Sequence, residues 1–380
     1  MAEDRFSHPP PKPATYADAL TQGRVRGRAT QTNPSNRFDT LSLHVLGEHL
    51  DEIAVEHPDG VQCPTRVYPD RSKTVINPVD APDLHFNWTI NPYRGCEHGC
   101  VYCYARPTHE YFGLSCGLDF ETRLFAKLDA PDQLLRELAA PSWRGEPIMM
   151  SGVTDCYQPV ERSLHITRRC LEVMAACAQP VSIVTKNHLV TRDIDLLRRL
   201  VPHNAISVAI SITTLDNGLA RKMEPRASAP RERLEAIRAL SDAGIPVAVM
   251  VAPIIPALTD HEMPAILKAA AQHGATGAGY VLLRLPYQIK ALYLDWLARE
   301  FPDRAAHAES QLRDARRGKL YQSAWKERQR GVGPRADHIR NSFALFKRRY
   351  NLDQRGISLN AGAFTRPDPP PTDTAQLRLF

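Results

Sequence analysis

The chain has 380 residues, of which 43% are hydrophobic and 24% charged, and its formal net charge at pH 7 is +6. This composition is typical of a globular protein with a large core. The longest apolar stretch, residues 245–258, is interrupted by prolines and is shorter than the ~20 residues that a membrane-spanning helix needs. The first residues lack the apolar segment of a secretion signal. We therefore expect a cytoplasmic protein without a membrane partner, whose eight cysteines are not a disulfide scaffold.

A proline-rich extension opens the chain, and we place it at residues 1–86. Residues 1–87 hold 10 of the 31 prolines and few periodic segments. The first 35 residues have the composition of a disordered or clamp-like arm. Residues 41–82 are predicted to add short strands and loops against a larger body.

Six apolar segments alternate with helical ones from residue 87 onward. Such alternation is typical of a parallel sheet covered on both faces. Six β/α units are too few for a closed eight-stranded barrel, so we predict an α/β fold with a partial, open β/α barrel over residues 87–302. Its chemistry is expected at the carboxyl ends of the strands. The predicted strands are 88–92, 147–153, 181–185, 206–212, 247–255 and 280–285, and the helices lie around 109 and at 161–178, 193–200, 230–243, 260–273 and 288–301.

Local signals mark several helix ends. Ser228 is predicted to cap the fourth of these helices, and Gly244 to end it. Thr259 and Glu262 have the spacing of a capping box at the start of the fifth helix.

A basic helical segment and an extended tail are predicted for residues 303–380. Residues 304–349 carry thirteen Lys and Arg against four Asp and Glu, a net charge of +9, so the rest of the chain is slightly acidic. Basic residues with aromatic residues between them suit phosphate contacts and base stacking, although solvent-facing charge is the plainer explanation. Nucleic acid is thus one candidate partner of residues 304–349. The aromatic residues are Tyr321, Trp325, Phe343 and Phe346.

The strongest signal is the spacing C-x3-C-x2-C of Cys96, Cys100 and Cys103, directly after the first strand. Three thiolates within eight residues suit an iron–sulfur cluster or zinc. Structural zinc sites and ferredoxin clusters take four ligands, whereas three cysteines leave one iron of a four-iron cube open. Gly95 and Gly99 allow the loop to turn tightly around such a cube.

The stretch NPYRGCEHGCVYCYARP, together with SGVTDCYQPVE and TKN, resembles the radical SAM superfamily, and within it the spore photoproduct lyase-related branch. The resemblance covers about residues 85–290. It implies a [4Fe-4S] cluster on the three cysteines whose open iron binds S-adenosylmethionine (SAM). An electron from a donor such as ferredoxin or flavodoxin then cleaves SAM to methionine and a 5′-deoxyadenosyl radical, which abstracts hydrogen from a substrate.

The resemblance also implies residues that bind SAM. Thr154 and Asp155, beyond the second strand, correspond to positions that hold its amino group, although Asp155 equally suits a helix cap. Lys186 is a candidate partner of the carboxylate or a plain rim charge, and Ser211 a ribose contact or a small polar filler. Tyr102, just before the last cysteine, is expected to face a bound base.

Glu224 and Arg226 follow the fourth strand, either as a pair that positions ligand or as a surface ion pair of little weight.

The remaining cysteines divide by location. Cys156 is a candidate hydrogen-atom donor next to the radical site, with quiet packing as the alternative. Cys170 and Cys177 share one helical face and are expected in the core. Cys63 has no assigned role, and Cys116 is at most a stray fourth ligand.

Two other classes of protein remain open from the residues alone. One is a non-catalytic electron-transfer or redox-sensing iron–sulfur protein, which needs no six-unit α/β body. The other is a zinc-stabilised nucleic-acid-binding module.

Overall fold

The computed structural model describes residues 25–38, 62–353 and 358–369. Its strands in chain order are β1 (Arg66–Pro69), β2 (Ile76–Pro78), β3 (Trp88–Ile90), β4 (Tyr93–Arg94), β5 (Arg123–Ala126), β6 (Ile148–Met150), β7 (Val181–Thr185), β8 (Ile206–Ser211), β9 (Val247–Ile254) and β10 (Gly277–Leu282).

The helices cover most of the connections between strands. They are α1 (Leu118–Thr122), α2 (Ala130–Ala139), α3 (Glu161–Leu164), α4 (Ile166–Ala176), α5 (Ile194–Leu200), α6 (Asn217–Met223), α7 (Pro230–Asp242), α8 (Met263–Gln272), α9 (Ile289–Glu300), α10 (Pro302–Asp314), α11 (Glu327–Arg330) and α12 (Pro334–Arg349). Short 3-10 helices lie at Arg106–Phe112, His188–Asp193, Val201–His203, Asp260–Glu262 and Ala361–Ala363.

The main sheet has seven strands in the order β10-β9-β8-β7-β6-β3-β2. All neighbours from β3 to β10 pair in parallel, and β2 adds an antiparallel edge. The six predicted strands are thus confirmed as one parallel array, whereas the helix predicted around residue 109 is the 3-10 helix Arg106–Phe112. Strands β10 and β2 are the two ends of the hydrogen-bonded order, so this sheet is open in the described part of the chain. Parallel strands place their carboxyl ends along one edge, where loops from different units meet.

Burial along the strands differs from the prediction that both faces are covered. In β7 and β9 fully buried residues alternate with half-buried ones. One face therefore packs against the helices through residues such as Val181 and Ile183, while the other is only half-buried. Successive side chains of a strand point to opposite faces, and the half-buried face leaves room above the sheet.

Two predicted boundaries changed for identifiable reasons. The predicted helix at 161–178 divides into α3 and α4 at His165, whose φ is +52°, because the Glu161 carboxylate accepts from the backbone N–H of Thr167 and starts α4. Strand β10 begins three residues before the predicted 280. A side chain at Gly279 would come within 2.6 Å of the Met250 sulfur, so a glycine there allows close pairing with β9.

The predicted caps gave mixed results. Gly244 ends α7 with φ +75°, as expected. Ser228 is not the N-cap of α7; Ala229 is, and the Ser228 hydroxyl instead accepts from the backbone N–H of His188. Glu262 does not reach back to Thr259, because its carboxylate accepts from Thr214 and from a backbone N–H in the neighbouring loop.

A second, smaller sheet of order β1-β5-β4 lies outside the predicted pattern. Strand β5 pairs in parallel with β1 and antiparallel with β4. Strands β1 and β2 confirm in part the short strands expected at 41–82, of which residues 41–61 lie outside the described residues. Of the predicted N-terminal arm, residues 25–38 are described.

The basic segment is helical, as predicted, in α10 and α12. Helix α12 packs onto the main core through Ala336, Ile339 and Phe343. The predicted extended tail is described only to residue 369. None of the described helices is long and apolar enough to cross a membrane.

Candidate active site

The three predicted cluster cysteines lie on one loop between β4 and the 3-10 helix that begins at Arg106. Gly95 and Gly99 both have positive φ, +76° and +65°. A Cβ at Gly95 would lie 2.9 Å from the carbonyl oxygen of Phe120, and one at Gly99 would lie 2.6 Å from Oε2 of Glu121. Both the backbone conformation and the lack of space therefore require glycine, as the sequence indicated.

Arg106 holds this loop from inside. Its guanidinium donates to the carbonyl oxygens of Cys100 at 2.9 Å, Gly99 at 3.1 Å, Cys116 at 3.2 Å and the residue after it. It also forms an ion pair of 2.6 Å with Glu121, and both side chains are fully buried. A single planar cation thus gathers carbonyls from two turns of the chain.

The N-terminal arm is tied to the same ion pair. The Thr30 hydroxyl donates to Oε1 of Glu121, and Arg28 donates to its backbone carbonyl. Asn33 exchanges hydrogen bonds with Asp119. The described part of the predicted arm is therefore bonded to the Glu121 side of the cysteine loop.

The thiols of Cys96 and Cys100 are buried and that of Cys103 is half-buried. Burial raises the pKa of all three, and for Cys96 the charges of Asp155, Cys100 and Cys103 add to it. Three mutually repelling, desolvated thiolates need a cationic group that neutralises them, and soft sulfur donors suit iron. This donor set fits an iron–sulfur cluster.

Within the described ranges, no three His, Cys, Asp or Glu side chains converge closely enough to hold a single metal ion. A four-iron cube takes each thiolate on a different iron, and so spreads its ligands more widely than one zinc ion does.

Thr154 and Asp155 join the cysteine loop to the ends of β6 and β7. The Thr154 hydroxyl donates to the Gly95 carbonyl at 2.6 Å. The Asp155 carboxylate accepts from the Thr185 hydroxyl at 2.7 Å and from the Lys186 backbone N–H at 2.8 Å, and lies 3.3 Å from Nδ1 of His98.

These contacts engage most of the acceptor capacity of Asp155. Burial raises the pKa of this carboxyl group, but His98 and the hydrogen bonds lower it by more, and the net shift is downward. Asp155 is therefore an anion that fixes the geometry of three loops. The carboxylate also accepts from the backbone N–H of Tyr157 at 2.9 Å, and the predicted contact with the SAM amino group stays a prediction.

Lys186 and Ser211 meet at the carboxyl ends of β7 and β8. The Lys186 ammonium donates to the Ser211 hydroxyl at 2.8 Å and to the Ala252 carbonyl at 3.3 Å, and lies 5.8 Å from the centre of the Tyr102 ring. The sequence-predicted residues Tyr102, Lys186 and Ser211 are thus brought together. Lys186 also acts electrostatically on Cys100, so this group adjoins the cysteine loop.

A buried carboxylate underlies this group. Glu224 accepts from the hydroxyls of Tyr102 and Thr213 and forms an ion pair with Arg233, and all of these residues are buried. The expected pairing of Glu224 with Arg226 is wrong. Arg226 instead pairs with Glu97 at 3.0 Å, because it follows the turn that leads away from the sheet edge.

The Glu224 carboxylate gives the fold a pH-dependent stability. Burial raises its pKa, but Arg233 and Lys186 lower it by more, to about 2. Against an ordinary value of about 4.3, the shift corresponds to about 3 kcal/mol of stability at neutral pH. Because the folded pKa is the lower one, this contribution is complete above pH ~4.3 and is lost as the pH falls toward 2.

We therefore expect the stability difference between the wild type and Glu224→Gln to shrink by about half between pH 7 and pH 3. Urea unfolding of both proteins across this range measures it, with the exposed Glu235→Gln as the control. A difference that stays constant with pH would contradict the assignment.

The other cysteines lie away from the open side of the sheet. Cys156 is fully buried in the main core, and its backbone carbonyl accepts from Thr167. A hydrogen-atom donor must reach its substrate, so this position favours the packing role. Cys170 and Cys177 lie in the same core, as predicted. Cys116 is buried, and burial raises its pKa to about 12.

Cys63 is half-buried and lines a polar cavity of about 540 Å³ beside Glu97 and Arg226.

Two of the aromatic residues expected to face nucleic acid are structural. Phe343 is buried against Tyr280, and Phe346 packs on the core. Trp325 is half exposed, with the Arg328 guanidinium 4.2 Å from the centre of its ring.

Sequence reasoning missed Arg106, Glu121 and Arg233. Arg106 stands three residues after the last cluster cysteine, and an arginine in such a loop is normally interpreted as a surface charge. Its partner, Glu121, is fifteen residues further along the chain. A buried ion pair at such a separation leaves no local pattern.

Comparison with known proteins agrees with the site. Residues 90–270 match the Radical SAM superfamily. Uncharacterized protein Rv2578c of Mycobacterium tuberculosis is 38% identical over 234 residues, which are 61% of this chain and 69% of that protein. Uncharacterized protein MJ0683 of Methanocaldococcus jannaschii is 31% identical over 192 residues, 50% of this chain and 69% of that protein.

Solved structures of spore photoproduct lyase share the fold. The lyase complexed with dinucleoside spore photoproduct has a TM-score of 0.53 at 15% identity, over 83% of this chain and 86% of that chain. A double mutant with bound AdoMet and dinucleoside spore photoproduct has a TM-score of 0.54 at 16% identity, with the same coverage.

The chain belongs to the radical SAM superfamily. It is accordingly a radical SAM enzyme whose specific reaction is open, and its fold is similar to that of spore photoproduct lyase.

Proposed function

We propose that Cys96, Cys100 and Cys103 hold a [4Fe-4S] cluster at which the enzyme cleaves SAM reductively. The observation that carries this proposal is the loop itself: three desolvated thiols, required glycines and an internal arginine clamp at the carboxyl edge of a parallel sheet. When bound, the reduced cluster supplies the electron that yields methionine and a 5′-deoxyadenosyl radical for hydrogen abstraction.

The surrounding residues have distinct roles in this proposal. Lys186 supplies a positive charge for the SAM carboxylate, oriented by Ser211, and the Tyr102 ring lies beside it. Asp155 and Thr154 keep the loop in register with the strand ends, which makes them positioning residues. The buried Glu224 balances the positive charges of Arg233 and Lys186.

Anaerobic reconstitution with iron and sulfide tests the proposal. We expect a brown protein that releases 5′-deoxyadenosine when dithionite and SAM are added. A reconstituted cluster that releases none would favour a redox role, and a colourless protein that holds metal without sulfide would favour zinc.

We further propose that the substrate is a nucleic acid or one of its components. The observation that favours this class is a set of exposed aromatic rings paired with arginines. Tyr104, next to Cys103, lies 4.8 Å from the Arg284 guanidinium, and Trp325 is covered by Arg328. Bases stack on such rings in a way that tolerates different sequences.

Salt dependence tests this substrate class. Binding of a single-stranded oligonucleotide is expected to weaken by at least about tenfold between low and physiological salt, because phosphate contacts release counterions. Trp325→Ala, in a chain that keeps the buried Phe343, is expected to weaken oligonucleotide binding further. A flat salt response would exclude nucleic acid.

A further inference from the structure

Arg284 stands at the carboxyl edge of the sheet, two residues beyond β10. Its guanidinium lies over the Tyr104 ring, and the Tyr104 hydroxyl donates to the Gly152 carbonyl at 2.6 Å. Tyr104 directly follows Cys103, and Gly152 follows β6. Arg284 is therefore held against the cysteine loop, on the side of the sheet where the strand ends carry the other site residues.

Arg284 lacks polar partners among the described residues. Its Nε atom is buried without a hydrogen-bond partner, and the guanidinium forms no ion pair within the described ranges. A ring contact offsets little of the cost of removing a guanidinium from water.

Arg316 is only 1% exposed and bonds to the backbone of Leu283, the residue before Arg284. Its guanidinium donates to the backbone carbonyls of Leu283 at 3.1 Å and Arg328 at 3.2 Å, but Nη1 is buried without a partner in the described chain. Burial, followed by the charge of Arg284, lowers the pKa of Arg316 to about 10. Two guanidinium groups are thus close enough to repel each other.

The other fully buried arginines show what Arg316 lacks. Arg106 is paired with Glu121, and Arg233 with Glu224. Arg316 has no such carboxylate among the described residues. Buried charges are normally paired, and a cation that lacks a partner within the chain is expected to meet an anion from outside it.

We propose that Arg284, supported by the second cation of Arg316 at the backbone next to it, binds an oxyanion of the substrate, a phosphate or a carboxylate. This proposal rests on the proposed function, since the anion would lie at the same strand edge as the radical chemistry. The planar fork of arginine matches such groups in a bidentate manner. Tyr104 would then support a flat group of the substrate next to the anion.

Thermal unfolding of the reconstituted full-length protein tests the site with simple anions. Sodium phosphate is titrated into the wild type, Arg284→Gln and the exposed control Arg231→Gln, with sodium chloride at equal ionic strength as the reference. We expect phosphate to raise the midpoint in a saturable way, with the apparent Kd at least about tenfold weaker in Arg284→Gln and unchanged in Arg231→Gln.

A parallel titration with sodium acetate distinguishes the two sources of the anion. A response to phosphate alone identifies a phosphate ester, and an equal response to acetate identifies a carboxylate. The same response in the wild type and Arg284→Gln, or in chloride and phosphate, would overturn the proposal. SAM cleavage by the wild type is measured separately, so failure of the anion site is distinguishable from failure of the proposed function.

Discussion

Cys100→Ala is expected to abolish the iron–sulfur cluster and the release of 5′-deoxyadenosine, whereas Cys116→Ala keeps both. The two cysteines are a matched pair, since both are buried, both belong to the region that Arg106 holds together, and burial raises the pKa of both thiols. They differ in that Cys100 lies on the loop with Cys96 and Cys103. With two thiolates left, two irons of a cube lack a protein ligand.

Iron and sulfide content after anaerobic reconstitution, the visible absorption and product formation from SAM are the measurements. A packing role predicts the same modest loss of stability, about 1–2 kcal/mol, for both alanine variants. Equal loss of iron in the two variants would mean that the integrity of the loop, rather than ligation by Cys100, determines whether the cluster forms. Retention of the cluster in Cys100→Ala would contradict the assigned ligand set.

The sequence predicted the parts of the fold that depend on local pattern. The segment at Val181–Thr185 became β7 with the predicted bounds, and its alternate residues are buried on one face of the sheet. The cysteine spacing and its two glycines were equally visible, since all five residues lie within one loop of nine residues, although the atoms that crowd the glycines belong to Phe120 and Glu121.

Long-range polar contacts explain most of what the sequence did not predict. Ser228 had the residue type and spacing of an N-cap, but its hydroxyl accepts from the backbone N–H of His188 in another loop. Glu224 took Arg233 as its partner rather than Arg226, because α7 brings Arg233 back beneath the strand end. The residue types indicated that the Ser228 hydroxyl and the Glu224 carboxylate need hydrogen-bond or ionic partners. Which partners they have depends on the topology, which brings distant segments together.

Long-range polar contacts also surround Asp155. At the sequence level a carboxylate after the second strand suggested a direct contact with SAM. In the structure its oxygens accept from the Thr185 hydroxyl and from the backbone N–H of Lys186 and Tyr157. A carboxylate so engaged holds the backbone of Lys186 in place, and a direct contact of Asp155 with SAM stays a prediction.

Arg106→Met is expected to cost about 3–5 kcal/mol of stability and to prevent the cluster from forming. The substitution leaves the Glu121 carboxylate buried without its cation, and removing one member of a buried ion pair has a cost of that size. The carbonyls of Gly99, Cys100 and Cys116 lose their donor at the same time. Because the carbonyls of Gly99 and Cys100 belong to the loop that carries the thiols, the substitution disturbs the geometry of the site as well as the fold.

Two measurements separate these effects. Urea unfolding of the protein without iron gives the loss of stability, and iron content after reconstitution at a temperature well below the unfolding midpoint gives the loss of geometry. Arg231→Met is the control, because Arg231 is exposed and its ion pair with Glu235 contributes at most about 0.5 kcal/mol. A folded Arg106→Met protein that takes up iron like the wild type would show that the cysteine loop keeps its shape without the Arg106 guanidinium. Loss of iron uptake in a variant that is still folded at the assay temperature would identify Arg106 as the residue that preorganises the three thiols.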